Sequence, residues 1–348
     1  MTSYAHTSGS TPRRIAWAAL LLSAVALAST LGSPKALGGG GDQPSNAGSY
    51  GWPVKPFDKQ HPIRGGFADP RTIFRSSPTL QGVLDGDCSC SLHQGVDISA
   101  PDGSPVYPVV SGTVTYVDSE WVKVESSGGQ AFEYWHIRAI VSVGSHVEAH
   151  HTLIGRILRG SGHVHLTELK NGRAVNPLAP GHLGPYADHT TPRVTSISFR
   201  RTETGREGLP NLIRGRVLLV AAAEDEPTID APEAWRGLPV TPALLTWEIR
   251  SWNGRLVLRR KTAADFRGAL PNRGFWQIYA RGTYQNMAVL GHHYSWAQPG
   301  SYLFKLSPEG FDTHRLRDGA YDLVVTATDI RGNSSSLTRR FTVGNHRS

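Results

Sequence analysis

The chain has 348 residues, a formal net charge of +8 and two cysteines. This length is enough for two or three domains, and two cysteines exclude a fold held together by a framework of disulfide bonds. With 38 glycines and 23 prolines and few apolar patterns of helical period, the composition favours a β-rich protein with many turns. The positive charge fits a protein that meets anionic polymers outside the cell, and equally well an ordinary solvated surface.

The N-terminal segment is typical of an export signal. Arg13 and Arg14 precede the apolar run IAWAALLLSAVALA, which ends in a small-x-small cleavage site at Ala26–Ala28. The run is short for a membrane span of about 20 residues, so cleavage near Ala28 is favoured over an uncleaved anchor helix. We predict a signal peptide at residues 1–28 and a flexible, glycine- and serine-rich linker at residues 29–50. We expect an exported protein of the periplasm, cell envelope or medium, without a membrane span after cleavage.

The stretch HQGVDISAPDG places His93 and Asp97 four positions apart. On a helix this spacing would put both side chains on one face. Gly95 between them, the strand-forming residues around Asp97 and the turn sequence that begins at Pro101 argue against a helix. An extended segment that brings an imidazole and a carboxylate together indicates a metal ion.

A second stretch, SGHVHLTEL, contains His163 and His165. Residues two apart on a strand share a face, so the two imidazoles form half of a possible metal site. Ligands of the type His, Asp, His with an open position for water are those of a catalytic zinc. His136 lies between the two stretches in the strand-like run FEYWHIRAI; taken alone, it has the pattern of an ordinary core or surface histidine.

Together these stretches resemble the lysostaphin-type (LytM-like) zinc endopeptidases of bacterial cell walls. The resemblance covers roughly residues 54–177. It rests on IRGGFADPR, HQGVDISAPDGSPVYPVVSGTVTYV, YWHI, VGSHVEAHHTLIG and HVHLTELKNGRAVNP, which occur in the family's order. The sequence departs from the family in a short GRILRGSG loop, in His151 at a glycine-type position and in Leu166 after the last ligand, which puts specificity in doubt but removes no ligand.

The resemblance implies one zinc ion per chain, bound by His93, Asp97 and His165. It also implies that His136 and His163 are an unliganded catalytic pair, although the sequence does not assign their separate roles. The expected function is an exported zinc endopeptidase that hydrolyses peptide bonds in the stem or cross-bridge of peptidoglycan. The alternative is a non-catalytic zinc-binding or activator module that regulates another hydrolase or binds the wall. We expect a peptidoglycan peptide as the partner and no nucleic acid; oligomeric state is left open.

A rival metal set in this part of the chain is weaker, and the remaining histidines do not suggest a site. Cys88, Cys90 and His93 in CSCSLH offer a rival zinc set, but a disulfide across one residue, or two unpaired thiols, is favoured for an exported protein. The remaining histidines lack partners at ligand spacing, so we interpret them as surface residues: His146, His150, His151, His182, His189, His292 and His293.

The fold class expected is all-β, with a compact, mostly antiparallel metallopeptidase domain (duplicated-hybrid-motif-like) at residues 51–190 and an immunoglobulin-like β-sandwich at residues 191–348. The sandwich is predicted from alternating runs separated by turns: RVTSISFR, IRGRVLLVAAAE, LLTWEIRS, GRLVLRR, GSYLFKL, GAYDLVVTATD and SLTRRFTV. DIRGNSS predicts a hairpin turn, favoured over a calcium site at Asp329 and Asn333. Its tryptophans, Trp247, Trp252, Trp276 and Trp296, fit a core better than a glycan-stacking platform. The sandwich could also anchor the chain to a wall polymer.

Overall fold

The structure is a computed structural model that describes residues 49–72, 88, 90–205, 211–288 and 297–346. The signal peptide, nearly all of the predicted linker, His292, His293 and Trp296 lie outside these residues. Within the described part, no helix is long and apolar enough to cross a membrane. The secondary structure is nearly all β and mostly antiparallel, as the sequence predicts.

We call residues 49–190 the N-terminal region. Its strands, numbered in chain order, are β1 (Ile63–Gly65), β2 (Pro70–Arg71), β3 (Ser91–Leu92), β4 (Val96–Ser99), β5 (Pro105–Val106), β6 (Gly112–Val117), β7 (Trp121–Glu125), β8 (Gln130–Trp135), β9 (Ile137–Ala139), β10 (His146–Val147), β11 (Gly155–Ile157), β12 (His163–Lys170) and β13 (Arg173–Val175). A 3₁₀ turn, Ser127–Gly129, joins β7 to β8.

The main sheet of this region has the strand order β1-β4-β12-β8-β7-β6-β10, with β13 paired to β12. Alternation along its strands divides polar from apolar side chains. One face is a buried core, and its fully buried side chains are Val96, Ile98, Val114, Val122, Val124, Phe132, Tyr134, Val164 and Leu166. The opposite face carries Asp97, His165 and Trp135. Because neighbouring residues on a strand alternate between faces, burial of the apolar side chains on one face places these three side chains together on the other.

We call residues 191–346 the C-terminal region. Its strands are β14 (Arg193–Arg201), β15 (Leu212–Ile213), β16 (Arg216–Glu224), β17 (Leu244–Ser251), β18 (Leu256–Asp265), β19 (Met287–Ala288), β20 (Ala297–Gln298), β21 (Leu303–Lys305), β22 (Phe311–Asp312), β23 (Gly319–Thr328) and β24 (Ser334–Val343). Its short helices are the 3₁₀ turns Glu233–Trp235 and Thr313–Arg315 and the α-helix α1 (Phe275–Ile278).

All seven strands predicted in the C-terminal region are present. They form one sheet with the order β14-β16-β21, to which β22 adds, and a second with the order β15-β24-β23-β17-β18. Phe199 of the first sheet packs on Phe341 of the second, with ring centroids 5.4 Å apart. The run IRGRVLLVAAAE breaks into β15 and β16 because Gly215 adopts a φ of 67°. The immunoglobulin-like topology stays a prediction.

The hairpin turn between β23 and β24 is confirmed, since the Asp329 N–H donates to the Asn333 carbonyl oxygen at 3.0 Å and the Asp329 carboxylate accepts from the Asn333 N–H at 2.9 Å.

The described tryptophans of the C-terminal region that were predicted to lie in the core differ in how far they are buried. Trp247 is buried and Trp276 half-buried, but Trp252 is 67% exposed, so the core interpretation is wrong for Trp252.

Among the described residues, strands of the N-terminal region pair with one another and those of the C-terminal region likewise. An isolated bridge between Val175 and Ala269 joins the two sets, and both belong to one compact unit. The division into two domains at residue 190 stays a proposal.

Candidate metal centre and active site

Two neighbouring strands bring the predicted ligands together. In the antiparallel pair of β4 and β12, Asp97 lies directly opposite His165, and His93 reaches the same point from the turn before β4. His93 Nε2 lies 2.6 Å from His165 Nδ1. Asp97 Oδ1 lies 3.1 Å from His93 Nε2 and 3.0 Å from His165 Nδ1. Three ligand atoms from distant parts of the chain therefore converge on one point.

The turn between the ligands requires glycine. A Cβ atom at Gly95 would overlap the carbonyl oxygen of Leu166 in β12 and would lie 2.9 Å from His165 Nε2. The close approach of the two backbones is what lets His93 reach His165 across the strand pair.

Each ligand is oriented by a further hydrogen bond through the atom that does not face the centre. His93 Nδ1 lies 2.7 Å from the Gly66 carbonyl oxygen, and His165 Nε2 lies 2.8 Å from Thr167 Oγ1. Arg71 Nη2 donates to Asp97 Oδ2 at 2.8 Å. Such outer partners fix the ring orientation and tautomer of metal-ligating histidines.

The protonation states also suit a cation. Burial lowers the pKa of His93 to about 4, and Arg71 adds to the shift, so the ring is neutral near pH 7. Burial raises the pKa of Asp97, but His93, Arg71 and His163 outweigh it and hold that pKa well below its usual range. Neutral imidazole and ionised carboxylate are the forms in which these side chains bind a metal.

The donor set fits zinc. Two imidazole nitrogens and one carboxylate oxygen are ligands that zinc takes in catalytic sites, where a fourth position stays open. Two imidazole nitrogens that face each other at 2.6 Å need a proton or a cation between them, because two lone pairs repel. The other nitrogen of each ring already has a protein partner, which leaves these two for an ion.

His136 and His163 lie beside the centre as a pair. Their ring centroids are 4.5 Å apart, and His163 Nε2 lies 3.6 Å from Asp97 Oδ1. Burial lowers the pKa of His163 to about 3, opposed by Asp97 and reinforced by Arg64; burial likewise lowers the pKa of His136. Both rings are therefore neutral near pH 7.

The backbone at His136 differs from the strand expected there. The residue separates β8 from β9 with a φ of 64°, a left-handed conformation that is uncommon for a residue other than glycine. Its carbonyl oxygen accepts from Leu158 N–H at 2.9 Å. Strained backbone of this kind clusters at functional sites, and here it turns the imidazole towards His163.

Residues 91–177 match the model of peptidase family M23. The chain carries an M23 peptidase domain. The match confirms the resemblance that the sequence motifs indicate. No curated protein matches the chain.

Several solved structures are similar to the region around the M23 domain. One is a zinc-containing peptidase from Vibrio cholerae, with 20% identity over 38% of this chain and 40% of that chain and a TM-score of 0.30. Another is the catalytic domain of the antimicrobial peptidase lysostaphin from Staphylococcus simulans, with 19% identity over 34% of this chain and 90% of that chain and a TM-score of 0.26. A third is a SpoIIQ–SpoIIIAH pore-forming complex, with 22% identity over 38% of this chain and 90% of that chain and a TM-score of 0.29.

The C-terminal region holds the loop that orients the ligands of the M23 domain. This loop, residues 66–69, joins β1 to β2 and contains Gly66, the partner of His93. The Asp69 carboxylate accepts from the N–H groups of Gly66 and Thr241, both at 2.7 Å. Tyr279 Oη donates to the Ala68 carbonyl oxygen at 2.9 Å.

The C-terminal region also contacts Arg64, an arginine of the N-terminal region that lies beside His163. Arg64 Nη2 lies 2.5 Å from His163 Nδ1, and the guanidinium carbon of Arg64 lies 4.4 Å from the ring centre of Trp235. A cation over a tryptophan face is attracted by the ring quadrupole, so Trp235 helps to fix the arginine that touches His163. Sequence reasoning gave no role to Arg64, Arg71, Thr167 or Tyr279, although the first three lie in stretches that carry the family resemblance, because only the folded chain shows what they contact.

A groove of about 410 Å³ opens onto the centre of the M23 domain. Its walls include the ligands, His136, Arg71 and, on the side of β8, Glu133 and Trp135. Glu133 and Trp135 were also missed from the sequence. The alternation in FEYW, which puts both on one face of a strand, was the signal that could have found them.

The rival metal set is not assembled. Cys88 and Cys90 are joined in a disulfide, one of the two states expected from the sequence, and His93 has the partners described above.

The surface interpretation is confirmed for His146, His151 and His189 and is wrong for two other histidines. His150 is half-buried and stacks on Phe57 at 4.6 Å between ring centroids, and half-buried His182 Nδ1 lies 2.7 Å from Glu168 Oε2. In each case a neighbour in the fold covers a ring that has no partner nearby in sequence.

Proposed function

We propose that this chain is an exported, zinc-dependent endopeptidase that hydrolyses peptide bonds in the stem or cross-bridge of bacterial peptidoglycan. The observation that carries the proposal is the convergence of His93, Asp97 and His165 on one point, with two unliganded histidines beside it. The match of residues 91–177 to peptidase family M23 supports it, because that family implies a metallopeptidase. Zinc is the proposed cofactor, one ion per chain.

The chemistry divides between the ion and the protein. When bound, zinc supplies the Lewis acidity that acidifies water and polarises a carbonyl group. His93, Asp97 and His165 would hold it, and Gly66, Arg71 and Thr167 would keep those ligands in place.

The neutral imidazoles of His136 and His163 provide the proton transfers. A neutral imidazole can take a proton from the attacking water and return it to the leaving amine, and an imidazole N–H can donate to a developing oxyanion. Arg64 Nη2 and the Ser161 carbonyl oxygen both lie near His163 Nδ1, at 2.5 and 2.6 Å. Nδ1 is thus occupied by the protein, and Nε2 is the nitrogen that faces Asp97, at 3.6 Å from its Oδ1.

The test is mass analysis of the fragments that the zinc-loaded protein releases from defined muropeptides, with and without a chelator. We expect chelator-sensitive cleavage at a peptide bond. His165→Ala should lose both zinc and activity. His136→Ala should keep zinc while its rate falls by roughly 10²–10⁴, as for other lost acid–base groups. His151→Ala is the matched control, because this histidine is 83% exposed, and it should behave as wild type.

The alternative from the sequence, a non-catalytic wall-binding or activator module, predicts a different result. Zinc would bind and muropeptides would bind, but no fragment would be released. Full activity of His136→Ala on the true substrate would contradict the role given to that residue.

A further inference from the structure

A row of aromatic rings extends from the metal centre across the sheet. Trp135 on β8 lies directly opposite His165 on β12, and Trp121 on β7 lies directly opposite Trp135. The two indole rings are stacked at 4.4 Å with an interplanar angle of 10°, and Tyr116 stacks on Trp121 at 4.2 Å. Trp121 therefore covers one face of Trp135. No other aromatic ring among the described residues stacks on Trp135, so we call its second face the free face, and Trp135 lines the groove together with His165.

Glu133 lies two residues before Trp135 on β8, and both residues line the groove. It is opposite Thr167, the residue that hydrogen-bonds the ligand His165. Directly opposed residues of an antiparallel pair have Cβ atoms about 4.5–5.5 Å apart. Glu133 thus places a carboxylate in the wall of the groove close to the centre.

The carboxylate of Glu133 has no cationic partner among the described residues. Its hydrogen-bond donor is the neutral Trp135 Nε1, at 3.1 Å. Lys123 is its neighbour on β7, but Lys123 Nζ pairs with Glu125 Oε1 at 2.8 Å. Arg71, the cation in the opposite wall, is bound to Asp97. Glu133 is half-buried, and the neighbouring cations are paired with other carboxylates. Its carboxylate is therefore suited to bind a cationic group of a ligand.

We infer that Glu133 and the free face of Trp135 form a subsite for a primary ammonium group carried by the peptide substrate. The carboxylate supplies a charge-assisted acceptor, and the indole face attracts the same cation and packs on its aliphatic stem. A hydroxyl or amide group would use the acceptor without the ring, so the pair favours an amine. The inference rests on the proposed function, since it assigns the class of peptide that the groove takes.

The test uses short synthetic wall peptides in which one lysine is moved through each position, either free or acetylated at its side-chain amine. Binding to the full-length, zinc-loaded protein is measured by calorimetry, and hydrolysis is followed in parallel by mass analysis. At one position we expect the free amine to bind about tenfold more tightly than the acetylated form, as for one hydrogen bond between charged groups.

Glu133→Gln should reduce this preference to within about twofold, because the amide keeps the shape and removes the charge. Glu133→Asp should retain part of it. Glu148→Gln removes the same charge from an exposed turn and should keep the wild-type preference. If Glu133→Gln does not fold, the wild-type preference is measured against salt, and a value that does not fall at high ionic strength overturns the inference.

The outcomes separate the two proposals. Hydrolysis without any preference for the free amine, or a preference that survives Glu133→Gln, overturns the subsite and leaves the endopeptidase standing. A preference for the free amine that Glu133→Gln removes, in a protein that cleaves none of the peptides, supports the subsite and overturns the proposed activity.

Discussion

The hydroxyl group of Tyr279 tests whether the C-terminal region maintains the metal centre. The side chain is fully buried, and its hydroxyl donates to the Ala68 carbonyl oxygen and lies 3.0 Å from Thr241 Oγ1. Tyr279→Phe removes one oxygen atom and leaves the ring in place. The Ala68 carbonyl, two residues from the backbone group that orients His93, then has no donor from this side.

The size of the effect follows from that one bond. A buried hydrogen bond contributes about 1 kcal/mol, and an unsatisfied partner raises the cost to about 1–3 kcal/mol. Zinc affinity can change only by the part of this energy that differs between metal-bound and metal-free protein. At about 1.4 kcal/mol per factor of ten, we expect a loss of about three- to tenfold.

Tyr321→Phe is the matched control. Tyr321 Oη donates to the Arg317 carbonyl oxygen at 2.8 Å, within the C-terminal region and apart from the ligand loop. Zinc affinity is measured by competition with a chromophoric chelator, and stability by urea unfolding. Both variants should lose about 1 kcal/mol of stability, but only Tyr279→Phe should bind zinc more weakly. Wild-type zinc affinity in Tyr279→Phe, with a stability loss equal to that of the control, would refute the reasoning.

Three further outcomes are expected. Arg71→Gln should weaken zinc binding by about 10–100-fold, because Asp97 Oδ2 loses its partner; unchanged chelator competition would contradict this. Gly95→Ala should destabilise the fold by at least about 2 kcal/mol in urea, because its side chain would overlap β12, whereas Gly268→Ala, where the added carbon meets nothing within 4 Å, should cost far less. Burial and nearby carboxylates raise the pKa of Asp225 from 3.8 to about 8, so the folded state holds an extra proton between these pH values and stability falls as pH rises through them. Asp225→Asn should flatten that slope and reduce the difference in stability between pH 5 and pH 8 by up to about 4 kcal/mol, at about 1.4 kcal/mol per pH unit; identical slopes would show that Asp225 is not responsible.

Part of the metal centre could be predicted from strand periodicity, and the resemblance to the lysostaphin-type family supplied the choice of His93, Asp97 and His165 as ligands. His163 and His165 share a face of β12 by simple alternation, and the strong turn residues after Asp97 mark the end of β4. The longer strands of the C-terminal region follow the same rule, and each of the seven predicted runs contains a strand. The break at Gly215 was missed, since a glycine in a run of apolar residues does not reveal its φ, and so were the two-residue strands β19, β20 and β22, which are too short to show alternation.

The partners of the ligands could not be predicted in this way. Gly66 contributes a carbonyl oxygen, which every residue has, and Arg71 is one of many arginines in a basic chain. His136 looked like a strand residue because its neighbours do, and its left-handed backbone depends on the packing of two sheets. His182 looked exposed because its partner, Glu168, lies on the buried side of β12.

The loop that orients the ligands is held by residues that come much later in the chain. The hydrogen-bond partner of the Asp69 carboxylate is Thr241, 172 positions further along the chain. The partner of the Ala68 carbonyl oxygen is Tyr279, 211 positions further along. A polypeptide that emerges from its N-terminus can form the β4–β12 pair long before those partners exist. The loop beside His93 therefore has all of these hydrogen-bond partners only once the chain has been made as far as Tyr279.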